Sequence, residues 1–159
     1  MFYDELEIGQ TARFAKTVTE TDLAFFIAIT GDANPMHVDE VAAAASPFGT
    51  RIVHGMLSGS LLCGVYGMQL PGPGAVHLEQ QIKFKAPVRI GDTVTAHVEV
   101  IELCGHRRVR MRSWCTRQDG VVVIEGEGLL LVPERLDSDA AAPKAISAAG
   151  AALKGNEAG

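Results

Sequence analysis

The chain has 159 residues, of which 47% are hydrophobic and 21% are charged, a balance typical of one globular domain and unlike that of a disordered chain. Its 14 basic and 19 acidic side chains give a formal net charge of −5, which argues against a dedicated nucleic-acid binder. The three cysteines include no CxxC pair, and residues 1–10 are acidic and mixed rather than an apolar leader. The odd number of cysteines and the character of residues 1–10 favour a reducing, cytoplasmic setting. The missing CxxC pair argues against a zinc site built from thiols.

The first half of the chain predicts one strand followed by three helices. These elements are a strand over 11–19, a helix between Thr19 and Gly31, a short helix over 38–45 and a long helix over 55–68. Thr19 or Thr21 can cap the first helix, because a hydroxyl oxygen accepts from the unpaired N–H groups of a first helical turn. A turn-rich loop at 31–35 separates the first helix from the second.

The stretch 52–78 contains no Asp, Glu, Lys or Arg, and its length alone would allow it to span a bilayer. Glycines interrupt the stretch repeatedly, and the PGPG run at 71–74 ends the predicted helix. A helix that is apolar all round belongs in a core or in a membrane. We therefore predict a central helix over 55–68 that is buried on all sides within the domain, and no membrane partner.

After residue 74 the sequence changes to runs rich in β-forming residues, separated by turn signals. The predicted strands cover residues 76–85, 93–103, 107–116 and 121–132. This order predicts an α+β fold in which a curved antiparallel sheet, including a four-strand meander, wraps around the central helix. Residues 1–133 would form this domain, and the Ala- and Gly-rich tail 134–159 is predicted to be disordered.

The segment GDANPMH at residues 31–37 places a carboxylate and an imidazole in one loop. Pro35 restricts its own backbone and that of Asn34, so Asp32 and His37 can converge on one small volume. A carboxylate and an imidazole that share one water can transfer protons near neutral pH. The alternative is structural, with Asp32 as a cap of the helix at Val38 or of the loop, and His37 as a polar residue of the core.

A second segment, RIVHGM at residues 51–56, places Gly55 at the start of the uncharged helix. The first N–H groups of a helix have no internal partners, and glycine allows a ligand oxygen to approach the backbone closely. These are the parts of an oxyanion hole, in which one donor contributes about 3–4 kcal/mol. The alternative is that Gly55 only begins a closely packed helix.

Together, these two motifs resemble the MaoC-like (R)-specific enoyl-CoA hydratases. GDANPMH matches each fixed position of the family pattern G-D-x-N-P-hydrophobic-H, and the spacing to VHGM also fits, as do the later PGPG turn and the FKAPVRIGDTVTAHVEV stretch. The resemblance covers residues 3–133. It implies a hot-dog fold, an acyl-CoA substrate and no metal or redox cofactor. It also implies a homodimer, or a dimer of dimers, whose sheets join edge to edge.

The resemblance further implies roles for individual residues. The residues that match Asp32 and His37 would hold and activate the attacking water, and the N–H that matches Gly55 would stabilise the thioester oxygen. The predicted substrate-binding residues are Asn34, His54 and Cys63.

Two of these predictions have a structural alternative. Cys63 stands where the family pattern places a serine, and a thiol is the weaker hydrogen-bond partner. For His54, packing beside the oxyanion hole is the alternative role.

A set of arginines near the third predicted strand can contact the CoA phosphates or form a solvated strand face. These are Arg107, Arg108, Arg110, Arg112 and Arg117.

The leading hypothesis is (R)-specific hydration of 2-enoyl-CoA, reversible as dehydration of 3-hydroxyacyl-CoA. The alternatives are dehydration of substrates on an acyl-carrier protein, a hot-dog thioesterase, and a non-catalytic module that binds acyl-CoA. A thioesterase would leave His37 idle. A binding module would have no need for both Asp32 and His37.

Overall fold

The computed structural model describes residues 1–133, so the predicted tail 134–159 lies outside the described residues. Within this range a short 3₁₀ helix, Tyr3–Glu5, precedes the main elements. The strands are β1 (Thr11–Thr17), β2 (Val76–Phe84), β3 (Thr93–Gly105), β4 (Arg108–Arg117) and β5 (Val122–Leu131). The helices are α1 (Glu20–Thr30), α2 (Pro35–Val38), α3 (Glu40–Ala44) and α4 (Gly55–Met68). The predicted long helix 55–68 coincides with α4, and no helix within residues 1–133 has the length and apolarity needed to cross a membrane.

The sheet has five strands in the order β1-β3-β4-β5-β2, and each neighbouring pair is antiparallel. The predicted α+β class with an antiparallel sheet is confirmed. The predicted four-strand meander is wrong for β2, which lies at the far edge beside β5. The reason is that β1 and β4 occupy both sides of β3, so β3 has no free edge at which β2 could pair.

Helix α4 packs on the sheet and contacts β1, β2, β3 and β4. Its buried residues are Leu57, Ser58, Gly59, Leu61, Leu62, Val65 and Tyr66. The prediction that this helix is buried on all sides is wrong, because Met56 is 55% exposed and Met68 is 74% exposed. One sheet covers one side of a helix, so the opposite side of α4 stays open in the single chain.

The predicted short helix over 38–45 is two helices, α2 and α3. Asp39 separates them because its backbone is extended, with φ −117° and ψ 108°. The Asp39 carboxylate accepts hydrogen bonds from the N–H groups of Val41 and Ala42 at 2.9 and 3.1 Å. It therefore caps α3, as a carboxylate does at a helix N-terminus.

Gly126 allows β5 to lie against β2, and its replacement by alanine should destabilise the fold. A Cβ at this position would lie 1.9 Å from the backbone oxygen of Gln81, and backbone cannot give way as a flexible side chain does. We expect the free energy of unfolding to fall by about 3 kcal/mol, the upper part of the range for overpacking. Urea denaturation measures the change.

Gly67→Ala on α4 is the matched control for this prediction. A Cβ at Gly67 has no other atom within 4 Å, and alanine is the better helix former by about 1 kcal/mol. This variant should be at least as stable as the parent. A Gly126→Ala protein with the parent's urea midpoint would contradict the prediction, because it would show that β2 and β5 can move apart without lowering the free energy of unfolding.

Candidate active site

The GDANPMH loop begins at Gly31, whose left-handed backbone (φ 74°) ends α1. Oδ1 of Asp32 accepts from the N–H of Asn34 at 3.2 Å, and Oδ1 of Asn34 accepts from the N–H of Met36 at 3.2 Å. Asn34 is therefore the cap of α2, and Pro35 occupies the first turn of that helix. Of the two structural alternatives for Asp32, the cap of the following helix is wrong, because Asn34 fills that role, whereas the bond from the N–H of Asn34 makes Asp32 a cap of the loop.

Hydrogen bonds join the RIVHGM segment to this loop. The N–H of Ile52 donates to the carbonyl oxygen of Met36 at 3.1 Å, and Nδ1 of His37 donates to the carbonyl oxygen of Ile52 at 2.7 Å. Nη1 of Arg51 also donates to the carbonyl oxygen of His37 at 3.4 Å. These bonds hold the second motif against the first.

Arg51 links this junction to two helices. Its guanidinium pairs with Glu20 at the start of α1 and with Glu40 in α3, the latter at 3.1 Å from Nε to Oε2. The hydrogen bond to Glu20 raises the pKa of Arg51, and hydrogen bonds from Thr50 and Arg51 lower the pKa of Glu40. Exposed ion pairs add little stability, but the planar guanidinium fixes the directions of several bonds at once.

Asp32, His37 and His54 meet at one point. Oδ2 of Asp32 lies 4.0 Å from Nε2 of His37 and 3.8 Å from Nε2 of His54. The two imidazole rings are stacked with their centroids 3.7 Å apart. A gap of 4.0 Å between Asp32 and His37 is too long for a direct hydrogen bond and suits one bridging water.

Hydrogen bonds to carbonyl oxygens assign the proton in each neutral imidazole, because a carbonyl oxygen only accepts. Nδ1 of His37 donates to Ile52, so its Nε2 carries the lone pair. Nε2 of His54 donates to the carbonyl oxygen of Asp32 at 2.9 Å, so its Nδ1 carries the lone pair. The Asp32 carboxylate and Nε2 of His37 are therefore two proton acceptors that face the same gap.

The three side chains line a cavity of about 610 Å³, a volume typical of small-molecule sites. Most of the remaining wall is apolar, and it includes Phe26, Ile52, Phe84 and Ile124. Lys85 is the one lysine or arginine among the described lining residues, and it pairs with Glu125 at 3.2 Å. Such a wall suits an apolar ligand that carries a polar reactive group.

The N-terminus of α4, at Gly55, borders this cavity. His54 is the N-cap residue and makes no side-chain cap bond. Among the described hydrogen bonds, none uses the N–H of Gly55 or of Met56, and both residues line the cavity. Two unpaired donors at the positive end of a 14-residue helix suit an oxygen on which negative charge develops.

Replacing Gly55 by alanine should lower kcat/KM by about tenfold to a hundredfold. The new Cβ would lie 2.7 Å from Cε1 and 2.8 Å from Cδ1 of Phe84, so the ring must move within the cavity wall. The shifted ring and helix start would misplace the N–H donors relative to the substrate, and a misplacement of about 1 Å in an active site can cost about a hundredfold in rate. Steady-state kinetics on a 2-enoyl thioester measure the effect.

The double variant Gly55→Ala/Phe84→Leu is the control for this prediction, because leucine lacks the ring atoms that the Cβ would meet. It should recover part of the activity lost by Gly55→Ala. A Gly55→Ala protein with the parent's kcat/KM would show that the ring of Phe84 moves aside without affecting the site.

The structure brings four of the six predicted site residues to the cavity. These are Asp32, His37, His54 and Gly55. Asn34 and Cys63 do not line it. The side chain of Asn34 caps α2 instead, and Cys63 is exposed on the side of α4 that the sheet leaves open.

Ser58 and Phe84 line the cavity but do not follow from the motifs. Ser58 stands three residues after Gly55, so helical spacing places both on one side of α4, and this signal could have identified it. Its Oγ and Nδ1 of His54 are buried without a hydrogen-bond partner among the described residues. Leaving such an atom unpaired costs about 1–3 kcal/mol, so both atoms mark places where a buried water can bind.

Arg108, Arg110 and Arg112 alternate with the buried residues of β4 and so belong to the outer face of the sheet. Arg117, at the end of β4, pairs with Asp119 and donates to the carbonyl oxygen of Pro87. None of these arginines lines the cavity. Arg110 pairs with Glu102 at 3.3 Å, and Arg112 lies 3.9 Å from Glu99 and 5.0 Å from the centroid of the Trp114 ring. These contacts favour the solvated strand face over a role in binding phosphate.

Asp32, His37 and His54 are also the one group of His, Cys, Asp or Glu side chains within residues 1–133 with the spacing of a metal site. Their ligand atoms all lie within 4.8 Å of one another. Two imidazoles and one carboxylate are a donor set that suits a first-row transition metal. The hydrogen bond from Nε2 of His54 to Asp32 would have to break before that nitrogen could bind a metal ion.

Comparisons with known proteins agree with this geometry. The sequence profile of the "MaoC like domain" matches residues 5–123. The chain belongs to the MaoC-like family. The resemblance based on the GDANPMH and VHGM motifs is thereby confirmed, together with the hot-dog fold that it implies.

Relatives of this MaoC-like protein include named enzymes. The (R)-specific enoyl-CoA hydratase of Rhodospirillum rubrum is 48% identical over 135 residues, which cover 84% of this chain and 93% of the relative. A 3-hydroxybutyryl-CoA dehydratase of Methylorubrum extorquens is 46% identical over 140 residues, which cover 87% of this chain and 88% of the relative. These two relatives confirm the predicted enzyme class, a hydro-lyase.

A solved structure supports the same family. The unliganded R-hydratase of Pseudomonas aeruginosa matches this MaoC-like protein with a TM-score of 0.80 and 42% sequence identity. The match covers 84% of this chain and 86% of that chain.

Proposed function

We propose that this MaoC-like protein is an (R)-specific 2-enoyl-CoA hydratase, reversible as a 3-hydroxyacyl-CoA dehydratase. The observation that carries the proposal is that the Asp32–His37 pair and the N–H groups at the start of α4 surround one mainly apolar cavity. The named activities of the two relatives support the same reaction and an acyl-CoA substrate.

In the hydration direction, a water in the gap donates hydrogen bonds to Oδ2 of Asp32 and to Nε2 of His37. One member of the pair takes a proton while the water oxygen bonds to C3 and the C2–C3 π electrons move toward the thioester oxygen. The pair then delivers a proton to C2. The net reaction adds one water across the double bond and returns the pair to its starting state.

The N–H of Gly55 donates a hydrogen bond to the thioester oxygen, on which negative charge develops in the transition state. A preorganised donor at this position contributes about 3–4 kcal/mol, and the dipole of α4 favours the same charge. The bond from Nδ1 of His37 to Ile52 keeps Nε2 directed at the water.

We further propose a homodimer, alone or within a dimer of dimers, whose sheets join through β2. This strand is at the edge of the sheet and has a paired neighbour on one side, β5, so its other edge presents unpaired backbone groups. Val76 and Leu78 are 52% and 43% exposed, and Phe84 at the end of β2 is 56% exposed and lines the cavity. Light scattering coupled to gel filtration should give twice or four times the chain mass, and a monomer would contradict the proposal.

The reaction class is tested with the full chain and crotonyl-CoA. Absorbance of the conjugated thioester is followed while free thiol is measured in parallel. A hydratase removes the absorbance without releasing thiol, whereas release of thiol would identify a thioesterase. Turnover of crotonyl-acyl-carrier protein with no turnover of any 2-enoyl-CoA would overturn the proposed carrier.

A further inference from the structure

We propose that His54 is a positioning residue that sets the separation of Asp32 and His37 without itself touching the reacting atoms. The inference rests on the proposed function and deepens it. It replaces the substrate-binding role that the motifs predict for His54 with contacts to both members of the pair.

His54 makes the one described hydrogen bond that joins Asp32 to a residue distant in sequence. The N–H of Asp32 donates to Oγ1 of Thr30, the last residue of α1, at 3.3 Å, and Oδ1 accepts from the N–H of Asn34 at 3.2 Å. Both bonds join residues two positions apart, so neither fixes Asp32 relative to the start of α4. The bond from Nε2 of His54 to the carbonyl oxygen of Asp32, 2.9 Å long, ties the loop to the start of α4.

His54 also contacts the second member of the pair. Its ring stacks on that of His37, with 3.7 Å between the centroids and 30° between the planes. The ring of Phe26 packs against the His54 ring at a tilt, with 5.0 Å between their centroids. The hydrogen bond from Nδ1 of His37 to the carbonyl oxygen of Ile52 fixes one ring atom and leaves the His37 ring able to tilt about the direction of that bond. The stacked ring limits this tilt and thereby the position of Nε2.

His54 is poorly suited to react directly. His54 is only 3% exposed, and its Nε2–H already donates a hydrogen bond to the carbonyl oxygen of Asp32. Its removal should therefore change a distance rather than delete a reacting group. A displacement of about 1 Å in an active site can cost about a hundredfold in rate.

The variants His54→Gln and His54→Asn separate positioning from simple packing. The glutamine amide reaches about as far as Nε2 and can donate to the Asp32 carbonyl, whereas asparagine reaches about as far as Nδ1. With crotonyl-CoA, we expect kcat of His54→Asn to be at least about tenfold below that of His54→Gln, with KM values within about threefold of the parent. His97→Asn, in a ring stack with Trp114 on the other face of the sheet, is the matched control and should behave as the parent.

Two kinetic results would overturn the inference. Equal kcat values for His54→Gln and His54→Asn would show that the donor at Nε2 has no role. A raised KM with an unchanged kcat in both variants would show that His54 binds substrate directly. Thermal unfolding followed by circular dichroism establishes that both variants are folded.

A measurement that does not depend on catalysis separates this inference from the proposed function. Long-range ¹H–¹⁵N correlation spectra of the full chain, with His54 assigned from the His54→Gln variant, should show the proton of His54 on Nε2 and that of His37 on Nδ1. A His54 proton on Nδ1 would overturn the inference even in an active hydratase. If the parent hydrates no 2-enoyl thioester, the proposed function fails, but the spectra still show whether Nε2 of His54 carries the proton that it would donate to the Asp32 carbonyl. The same spectra test the inference if His54→Asn does not fold.

Discussion

Replacing Asp32 by asparagine is expected to lower kcat by about 10²- to 10⁴-fold, the range that general acid–base groups contribute. The amide is neutral and cannot take a proton from water, while its oxygen can still accept from the N–H of Asn34 as the carboxylate does. The side chain of Asp32 is 52% exposed, so the exchange should leave the melting temperature nearly unchanged. Initial rates of crotonyl-CoA hydration at saturating substrate measure the loss.

Asp119→Asn is the matched control for this variant. Asp119 is an exposed carboxylate at the β4–β5 turn and pairs with Arg117 at 2.6 Å, away from the cavity. It should retain the parent's kcat. If Asp32→Asn is folded and turns over within about twofold of the parent, Asp32 has no part in proton transfer.

Replacing His37 by asparagine should also lower kcat by about 10²- to 10⁴-fold. The asparagine amide can take the place of Nδ1 and donate to the Ile52 carbonyl, which His37 does at 2.7 Å. It has no atom equivalent to Nε2, so the water in the gap loses one of its two acceptors. The same assay measures the effect, and His97→Asn is again the control for the exchange of residue type.

The double variant Asp32→Asn/His37→Asn gives a further expectation. In the proposed mechanism both groups act on one water, so their effects should not add, and the double variant should be only slightly slower than the worse single variant. Fully additive losses would show that the two residues act on separate steps. Parent-like activity of a folded His37→Asn protein would return His37 to the role of a polar core residue.

Local patterns predicted the elements of this fold better than their arrangement. The bounds of α4 were predictable because glycine marks its start and the PGPG run follows its end. The split between α2 and α3 depends on the extended backbone of Asp39, which no periodicity indicates. The place of β2 depends on pairing with β5, about fifty residues later in the chain, and a local pattern carries no information about such pairing.

The site shows the same division. Asp32 and His37 were predictable as a pair because they are close in sequence and Pro35 restricts the loop between them. The part played by His54 depends on a carbonyl oxygen of the loop and on a ring stack, and neither can be read from residue types. Cys63 was predicted from the family pattern, but it stands about two turns along α4 from the cavity-lining Gly55 and Met56, is exposed and does not line the cavity.

The most direct test couples hydration of crotonyl-CoA to dehydrogenases specific for (R)- or (S)-3-hydroxyacyl-CoA. The proposed mechanism places the water between Asp32 and His37, which lie on one side of the cavity, so addition should occur on one face of the double bond. We expect product only with the (R)-specific dehydrogenase, no free thiol, and a signal that falls at least about a hundredfold in Asp32→Asn. An (S)-product, a mixture of both, or undiminished (R)-product from Asp32→Asn would contradict the proposed function.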